Sequence, residues 1–111
     1  MSPDEIWLTD FGEPFPGEPA HRRPALLIGP SKLFGDTLPF VIVAPLTTTD
    51  RGLSFHVPIE PDHLNRLDEQ SFIQCELLRS IGRRRLVTRL GWASAAITAE
   101  VERVIRRLLG Y

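Results

Sequence analysis

The residues best suited to chemistry lie in one stretch, 17–30, which reads GEPAHRRPALLIGP. Its first half is a turn-prone loop that carries Glu18, His21 and two adjacent arginines. Its second half is a short apolar run, which is typical of a buried strand. Pro24 fixes its own φ angle and biases Arg23 toward an extended backbone. The pattern therefore predicts that the Arg23 guanidinium lies where a loop meets a strand. The planar, forked guanidinium of arginine is well suited to bind a phosphate.

The overall charge of the chain gives no general attraction for polyanions, because the formal net charge is −1. Any binding of nucleic acid must therefore come from a local cluster of basic groups. Twelve of the 13 basic residues are arginine, which favours bidentate hydrogen bonding to phosphate over simple point charge.

The length and composition predict one ordinary globular domain, residues 1–111. Cys75 is the only cysteine, so an internal disulfide is excluded and a reducing compartment is expected. The first residues lack the basic start and apolar run of a signal peptide, and no apolar segment approaches about 20 residues. We therefore expect a cytoplasmic protein without membrane contact.

Short strands dominate the predicted structure, because ten prolines and eight glycines divide the chain into brief segments. The run 40–44, FVIVA, is the strongest strand signal and is expected to be central, with the strand ending at Pro45. A single helical turn is predicted over 80–85. The predicted strands span 5–11, 25–28, 40–44, 53–59, 70–78 and 86–92.

One amphipathic helix is predicted at the end of the chain. Ser94 is a candidate N-cap, and Gly110 is a candidate C-terminal stop. Between them, Ile97, Val101, Val104, Ile105 and Leu108 recur at helical spacing. Five to seven short antiparallel strands followed by one helix indicate a mainly β protein with a small barrel.

Three segments together resemble the MazF/PemK family of toxin endoribonucleases. They are EIWLTDF at 5–11, EPAHRRPA at 18–25 and PLTTT at 45–49. The segment QCELLRSI at 74–81 and the closing helix also fit, so the resemblance covers nearly the whole chain. It implies an SH3-like barrel, a homodimer, and cleavage of single-stranded RNA at short sequences without a metal or other cofactor. It also implies inhibition by a cognate MazE-like antitoxin.

The resemblance assigns roles to residues of this chain. The catalytic arginine of the family falls on Arg23, its catalytic threonine on Thr47, and its acidic loop position on Glu18. Because arginine is a poor base at neutral pH, Glu18 or His21 is better suited to proton transfer, and that assignment stays open. The candidate RNA-binding residues are His21, Arg22, Thr48, Thr49, Arg51, Trp7 and Arg79.

Simpler interpretations exist for several of these residues. Trp7 is more often a core residue than a platform for an unpaired base. His56 and His63 are given no role, because neither has an evident partner in the sequence. Two other functions fit the same architecture: a non-catalytic barrel that binds nucleic acid, and a gyrase-poisoning toxin resembling CcdB. The Arg-Pro loop and the threonine-rich segment favour the nuclease over both.

Overall fold

A computed structural model describes residues 3–13, 21–35 and 37–111. Seven strands are followed by one helix, and three short 3-10 turns lie between strands. The elements are β1 (Glu5–Asp10), β2 (Arg22–Gly29), β3 (Phe40–Thr47), β4 (His56–Ile59), β5 (Ser71–Gln74), β6 (Arg79–Gly82), β7 (Leu86–Trp92) and α1 (Ala95–Leu109). The 3-10 turns span Lys32–Phe34, Cys75–Leu77 and Arg83–Arg85.

The seven strands form one antiparallel sheet in the order β4-β5-β3-β2-β1-β7, and β6 pairs with β3 beside β5. In the part of the chain that the structure describes, β4 and β7 do not pair, so the barrel is open. The mainly β prediction with a C-terminal helix is confirmed, and β4 lies at one edge of the sheet. The exposed Pro58 lies in that edge strand, where a missing N–H costs no hydrogen bond.

Strand β3 is the centre of the sheet, and it extends three residues beyond the predicted 40–44 segment. The prediction that Pro45 ends the strand was wrong. On one side, β3 pairs with β6 as far as Val43 and with β5 from Leu46 onward. Pro45 falls in the gap between these two sets of pairs, so its missing N–H breaks none of them. The strand can therefore continue to Thr47.

The sheet is packed on both faces, because alternate residues of its strands enter two different apolar clusters. Leu26, Ala44 and Leu46 contact the cluster that includes Val101 and Val104 of α1. Ala25, Leu27, Val41, Val43 and Ile81 form the second cluster, with Trp7 and Leu86 packed against it. We call these the helix face and the second face of the sheet.

Helix α1 begins and ends as predicted. The Ser94 hydroxyl accepts a hydrogen bond from the backbone N–H of Ile97, and Gly110 adopts a left-handed conformation that stops the helix. Arg106 and Arg107 lie in the last turn, where the helix dipole favours cations. No helix in the residues that the structure describes is long and apolar enough to cross a membrane.

Several predicted elements differ from the structure. Strand β2 is longer than the predicted 25–28 segment, and β4 begins at His56 rather than at residue 53. The helical turn predicted over 80–85 is a strand, β6, followed by the 3-10 turn Arg83–Arg85. The strand predicted over 70–78 stops at Gln74, where a 3-10 turn begins. Residues 79–82 form a strand because they pair with β3, a non-local contact that local sequence patterns do not contain.

Candidate active site

Arg23 lies inside a strand, where it is the second residue of β2 rather than part of a loop. It is paired with Thr9 of β1, and its alternation with Ala25 and Leu27 places it on the second face. The side chain is half-buried, and its Nε atom is buried without a hydrogen-bond partner among the described residues. A buried, unpaired donor of this kind is available for an anionic ligand, because a phosphate would satisfy it.

Thr47 is the last residue of β3, and its half-buried side chain lies at the strand end. Its Oγ1 atom accepts a hydrogen bond from the backbone N–H of Thr49 at 3.2 Å. This contact fixes the oxygen and leaves the hydroxyl proton free to donate. Thr48 and Thr49 are exposed just beyond the strand, as is Arg51.

Arg23 and Thr47 lie on the same face of the sheet. Strands β2 and β3 pair Leu27 with Val43 and Ala25 with Pro45, and Arg23 and Thr47 are the next residues on that face of their strands, just beyond the last of these pairs. The alternation of the two strands therefore places a guanidinium and a hydroxyl donor on one face of the sheet.

Two other predicted residues lie on this second face. Arg79 pairs with Val43, and its guanidinium carbon lies 5.8 Å from the centre of the Phe11 ring. Trp7 packs against the second cluster, and its indole N–H donates to Glu5 Oε1 at 2.8 Å. Because its N–H is already paired, Trp7 behaves mainly as a packing residue here.

The loop residues of the predicted site are only partly described. His21 is exposed with a φ of 56°, and its backbone exchanges hydrogen bonds with Phe11 and Gly12. Arg22 is exposed and pairs with Asp10 of β1, and by alternation it points away from the second face. Glu18 lies outside the described residues, so its role stays a prediction.

A buried histidine was missed by the sequence reasoning. His56 Nε2 lies 2.8 Å from Glu76 Oε2, so the expectation that His56 lacks a partner was wrong. His56 is buried, whereas 29% of the Glu76 side chain is exposed. Twenty residues separate the two in the chain, and the pairing of His56 with Gln74, followed by the 3-10 turn that carries Glu76, brings them together. His63 is exposed, which agrees with its having no assigned role.

Phe72 is a second residue that the sequence reasoning did not select. It is paired with Thr47 on one side and with Pro58 on the other. Its ring is half-buried, and it belongs to neither apolar cluster found among the described residues. The alternation of the 70–78 segment was the only sequence signal, and it did not reveal which strand Phe72 adjoins.

A cavity of about 480 Å³ lies elsewhere, between β2 and α1. Its lining includes Leu26, Ile28 and Ile105, which are apolar residues of the helix face. Neither Arg23 nor Thr47 lines it. Arg106 also lines the cavity, but its guanidinium is paired with Glu102 at 3.1 Å, so we place the candidate site on the second face instead.

The fold and this face together define a class of protein: a small open barrel with one terminal helix and a guanidinium and a hydroxyl on one exposed sheet surface. The chain belongs to the family of PemK-like, MazF-like toxins of type II toxin–antitoxin systems, whose model matches residues 2–109. This match confirms the family predicted from the sequence.

Individual relatives agree with the family match. The chain is 31% identical to endoribonuclease MazF6 of Mycobacterium tuberculosis, over 98% of this chain and 96% of the relative. The crystal structure of MazF from Deinococcus radiodurans superposes with a TM-score of 0.83 at 28% identity, covering 100% of this chain and 97% of that one. A MazE–MazF complex from the same organism gives a TM-score of 0.77 at 28% identity, over 99% and 96% of the two chains. The name endoribonuclease agrees with the predicted enzyme class.

Proposed function

We propose that this protein is a toxin endoribonuclease that cleaves single-stranded RNA at short specific sequences without a metal ion, with Arg23 and Thr47 acting on the scissile phosphate. The observation that supports the proposal is that these two half-buried donors share one face of the sheet, each just beyond the last pair between β2 and β3. Membership of the toxin family and relatives named endoribonuclease support the same activity.

Cleavage without a metal uses the substrate's own 2′-hydroxyl as nucleophile. The 2′-oxygen forms a bond to phosphorus, the bond from phosphorus to the 5′-oxygen breaks, and the products carry a 2′,3′-cyclic phosphate and a 5′-hydroxyl. One proton leaves the 2′-hydroxyl and one is delivered to the 5′-oxygen. The protein must therefore assist two proton transfers and stabilise the charge that develops on the phosphorane.

Arg23 is suited to stabilise the negative charge of the phosphorane, because its guanidinium can bridge two phosphate oxygens and its Nε lacks a partner among the described residues. Thr47 is suited to donate one further hydrogen bond, because Thr49 already occupies its oxygen as an acceptor. Both donors are held by strands, so little reorganisation is needed when the transition state forms. For the proton transfers we propose Glu18 and His21, the groups of the adjoining loop with suitable chemistry.

RNA would reach this site along a surface made of basic and hydroxyl groups. Arg22, Thr48, Thr49 and Arg51 are exposed around the two strand ends, and Arg79 lies on the second face. Because the net charge is −1, this local arrangement must supply the attraction for the phosphate backbone.

We further propose that the 111 residues act as one domain in a cytoplasmic homodimer that a cognate antitoxin inhibits. The MazE–MazF structure from Deinococcus radiodurans supports the antitoxin, since its MazF chain superposes on nearly the whole of this one. An acidic antitoxin segment that occupies the second face would compete with RNA for the same guanidinium groups.

The direct test is incubation of the purified protein with a long single-stranded RNA transcript in EDTA. We expect discrete cuts at a short recurring sequence, with a cyclic phosphate on one product and a 5′-hydroxyl on the other. DNA of the same sequence is the control, and it should stay intact because it lacks the 2′-hydroxyl. Bound but uncut RNA would favour a non-catalytic binding module. Gyrase inhibition without RNA cleavage would favour a CcdB-like toxin.

A further inference from the structure

We propose that Phe72 is a stacking platform for a nucleobase of single-stranded RNA, the base of a nucleotide beside the scissile phosphate. This inference rests on the proposed function and adds a binding subsite to it. It starts from the position of Phe72 in β5, directly opposite Thr47 in β3. A ligand atom that contacts the Thr47 hydroxyl therefore lies no more than about the length of one side chain from the Phe72 ring.

The Phe72 side chain is only partly buried, and it lies on the second face rather than in the apolar core. Its neighbours in β5, Ser71 and Ile73, are buried, whereas Phe72 is only half-buried. Ile73 contributes to the helix-face cluster, and Phe72 belongs to neither cluster of the described residues. An accessible aromatic ring that does not complete an apolar core is free to stack on an apolar ligand surface.

The surroundings of the ring fit a base rather than a phosphate. The residues paired with Phe72 are Thr47 on one side and the exposed Pro58 on the other, and neither side chain is charged. Every nucleobase presents a flat π-face, and aromatic side chains bind such faces with little sequence preference. Phe72 therefore contributes affinity and positions the nucleotide for reaction, while base identity must be read by other groups.

The test uses an oligonucleotide that contains a cut site mapped on the long transcript. Its nucleophilic 2′-hydroxyl is replaced by hydrogen, so it binds without being cut, and 2-aminopurine replaces the base on either side of the cut in separate oligonucleotides. Stacking on Phe72 predicts quenching of one of the two probes by the wild-type protein. Phe72→Leu keeps the apolar volume but removes the π-face, and Phe72→Trp keeps a π-face. We expect weaker binding of about 5- to 150-fold and lost quenching for Phe72→Leu, with both retained by Phe72→Trp.

Several results would overturn the inference. Equal affinity and quenching for wild type and Phe72→Leu would show that the ring does not stack on RNA. Unchanged RNA affinity with an altered sedimentation coefficient would assign Phe72 to a protein interface instead. A wild-type protein that leaves the transcript uncut would overturn the proposed function and this subsite together. Because Phe72→Leu retains volume, equal melting temperatures of the variants show that lost binding is not lost folding.

Discussion

Thr47 Oγ1 accepts the backbone N–H of Thr49 at 3.2 Å, so the hydroxyl of Thr47 is oriented by its own chain before any substrate arrives. The same residue ends β3 and faces the side of the sheet that carries Arg23. A donor that is fixed in advance stabilises developing charge more effectively than one that must first be ordered. The hydrogen bond is thus the local feature that makes Thr47 suitable for catalysis.

Replacement of Thr47 by valine removes the hydroxyl with little change in shape. We expect Thr47→Val to lower the single-turnover rate of RNA cleavage by about 100- to 1,000-fold, the usual effect of losing one preorganised donor. Thr47→Ser restores a hydroxyl and should recover most of the rate. A valine variant that cleaves at the wild-type rate would exclude Thr47 from the chemistry.

The contact between His56 and Glu76 predicts a stability effect that is separate from catalysis. Glu76→Ala leaves the buried Nε2 of His56 without an acceptor, so we expect the free energy of unfolding to fall by about 1–3 kcal/mol. Glu76→Gln keeps an acceptor oxygen and should cost less. Urea denaturation measures the free energy of unfolding of both variants, and Glu69→Ala is the control because Glu69 is exposed. Equal stability of the two alanine variants would contradict the account.

Gly91 of β7 is required by close packing against a loop. A Cβ atom at this position would approach the backbone oxygen of Leu64 and the backbone of Asn65 too closely. We expect Gly91→Ala to destabilise the protein by about 1–3 kcal/mol, because backbone atoms must move to accommodate the methyl group. Gly82→Ala is the matched control, since the nearest atom to a Cβ there is 4.0 Å away. Thermal melts that fail to separate the two variants would contradict this prediction.

The raised pKa of the Cys75 thiol predicts that the stability of the folded protein depends on pH. Burial, and then the nearby Glu76 carboxylate, raises the pKa of Cys75 to about 11 from its ordinary value of 9.0. The folded state therefore holds this proton more tightly than the unfolded state does. The contribution to stability is complete below pH 9 and is lost as the pH rises from 9 to 11.

Two measurements check the Cys75 prediction. The native protein should react slowly with a disulfide reagent at pH 8, and rapidly after denaturant exposes the thiol. The loss of stability between pH 9 and 11 should be smaller in Cys75→Ala, which lacks the titrating group. Fast labelling of the native protein, or identical pH profiles for the two proteins, would contradict the assigned pKa.

The sequence predicted those elements whose signals are local. Strand β7 has the predicted bounds, and α1 begins after Ser94, because the capping residue and the apolar spacing lie within the segments themselves. The continuation of β3 past Pro45 was not predictable, because it depends on which strands flank that residue. Strand β6 was missed for the same reason, because its four residues form a strand by pairing with β3.

The candidate site was likewise only partly predictable from the sequence. Arg23 and Thr47 were selected through resemblance to a family, and the pairing of β2 with β3 explains how residues 24 positions apart come to lie on one face of the sheet. The contacts of His56 with Glu76 and of Phe72 with Thr47 join residues at least 20 positions apart, and no spacing rule predicts them. Such pairs become visible only when the strand order is known.

The most direct test of the central claim compares two adjacent arginines. Arg23 lies on the second face, whereas Arg22 is exposed and points away from it. Single-turnover cleavage of a long RNA transcript in EDTA should slow by about 100- to 1,000-fold in Arg23→Ala, while Arg22→Ala should alter RNA affinity far more than the rate constant. An Arg23→Ala protein that cuts at the wild-type rate would contradict the account.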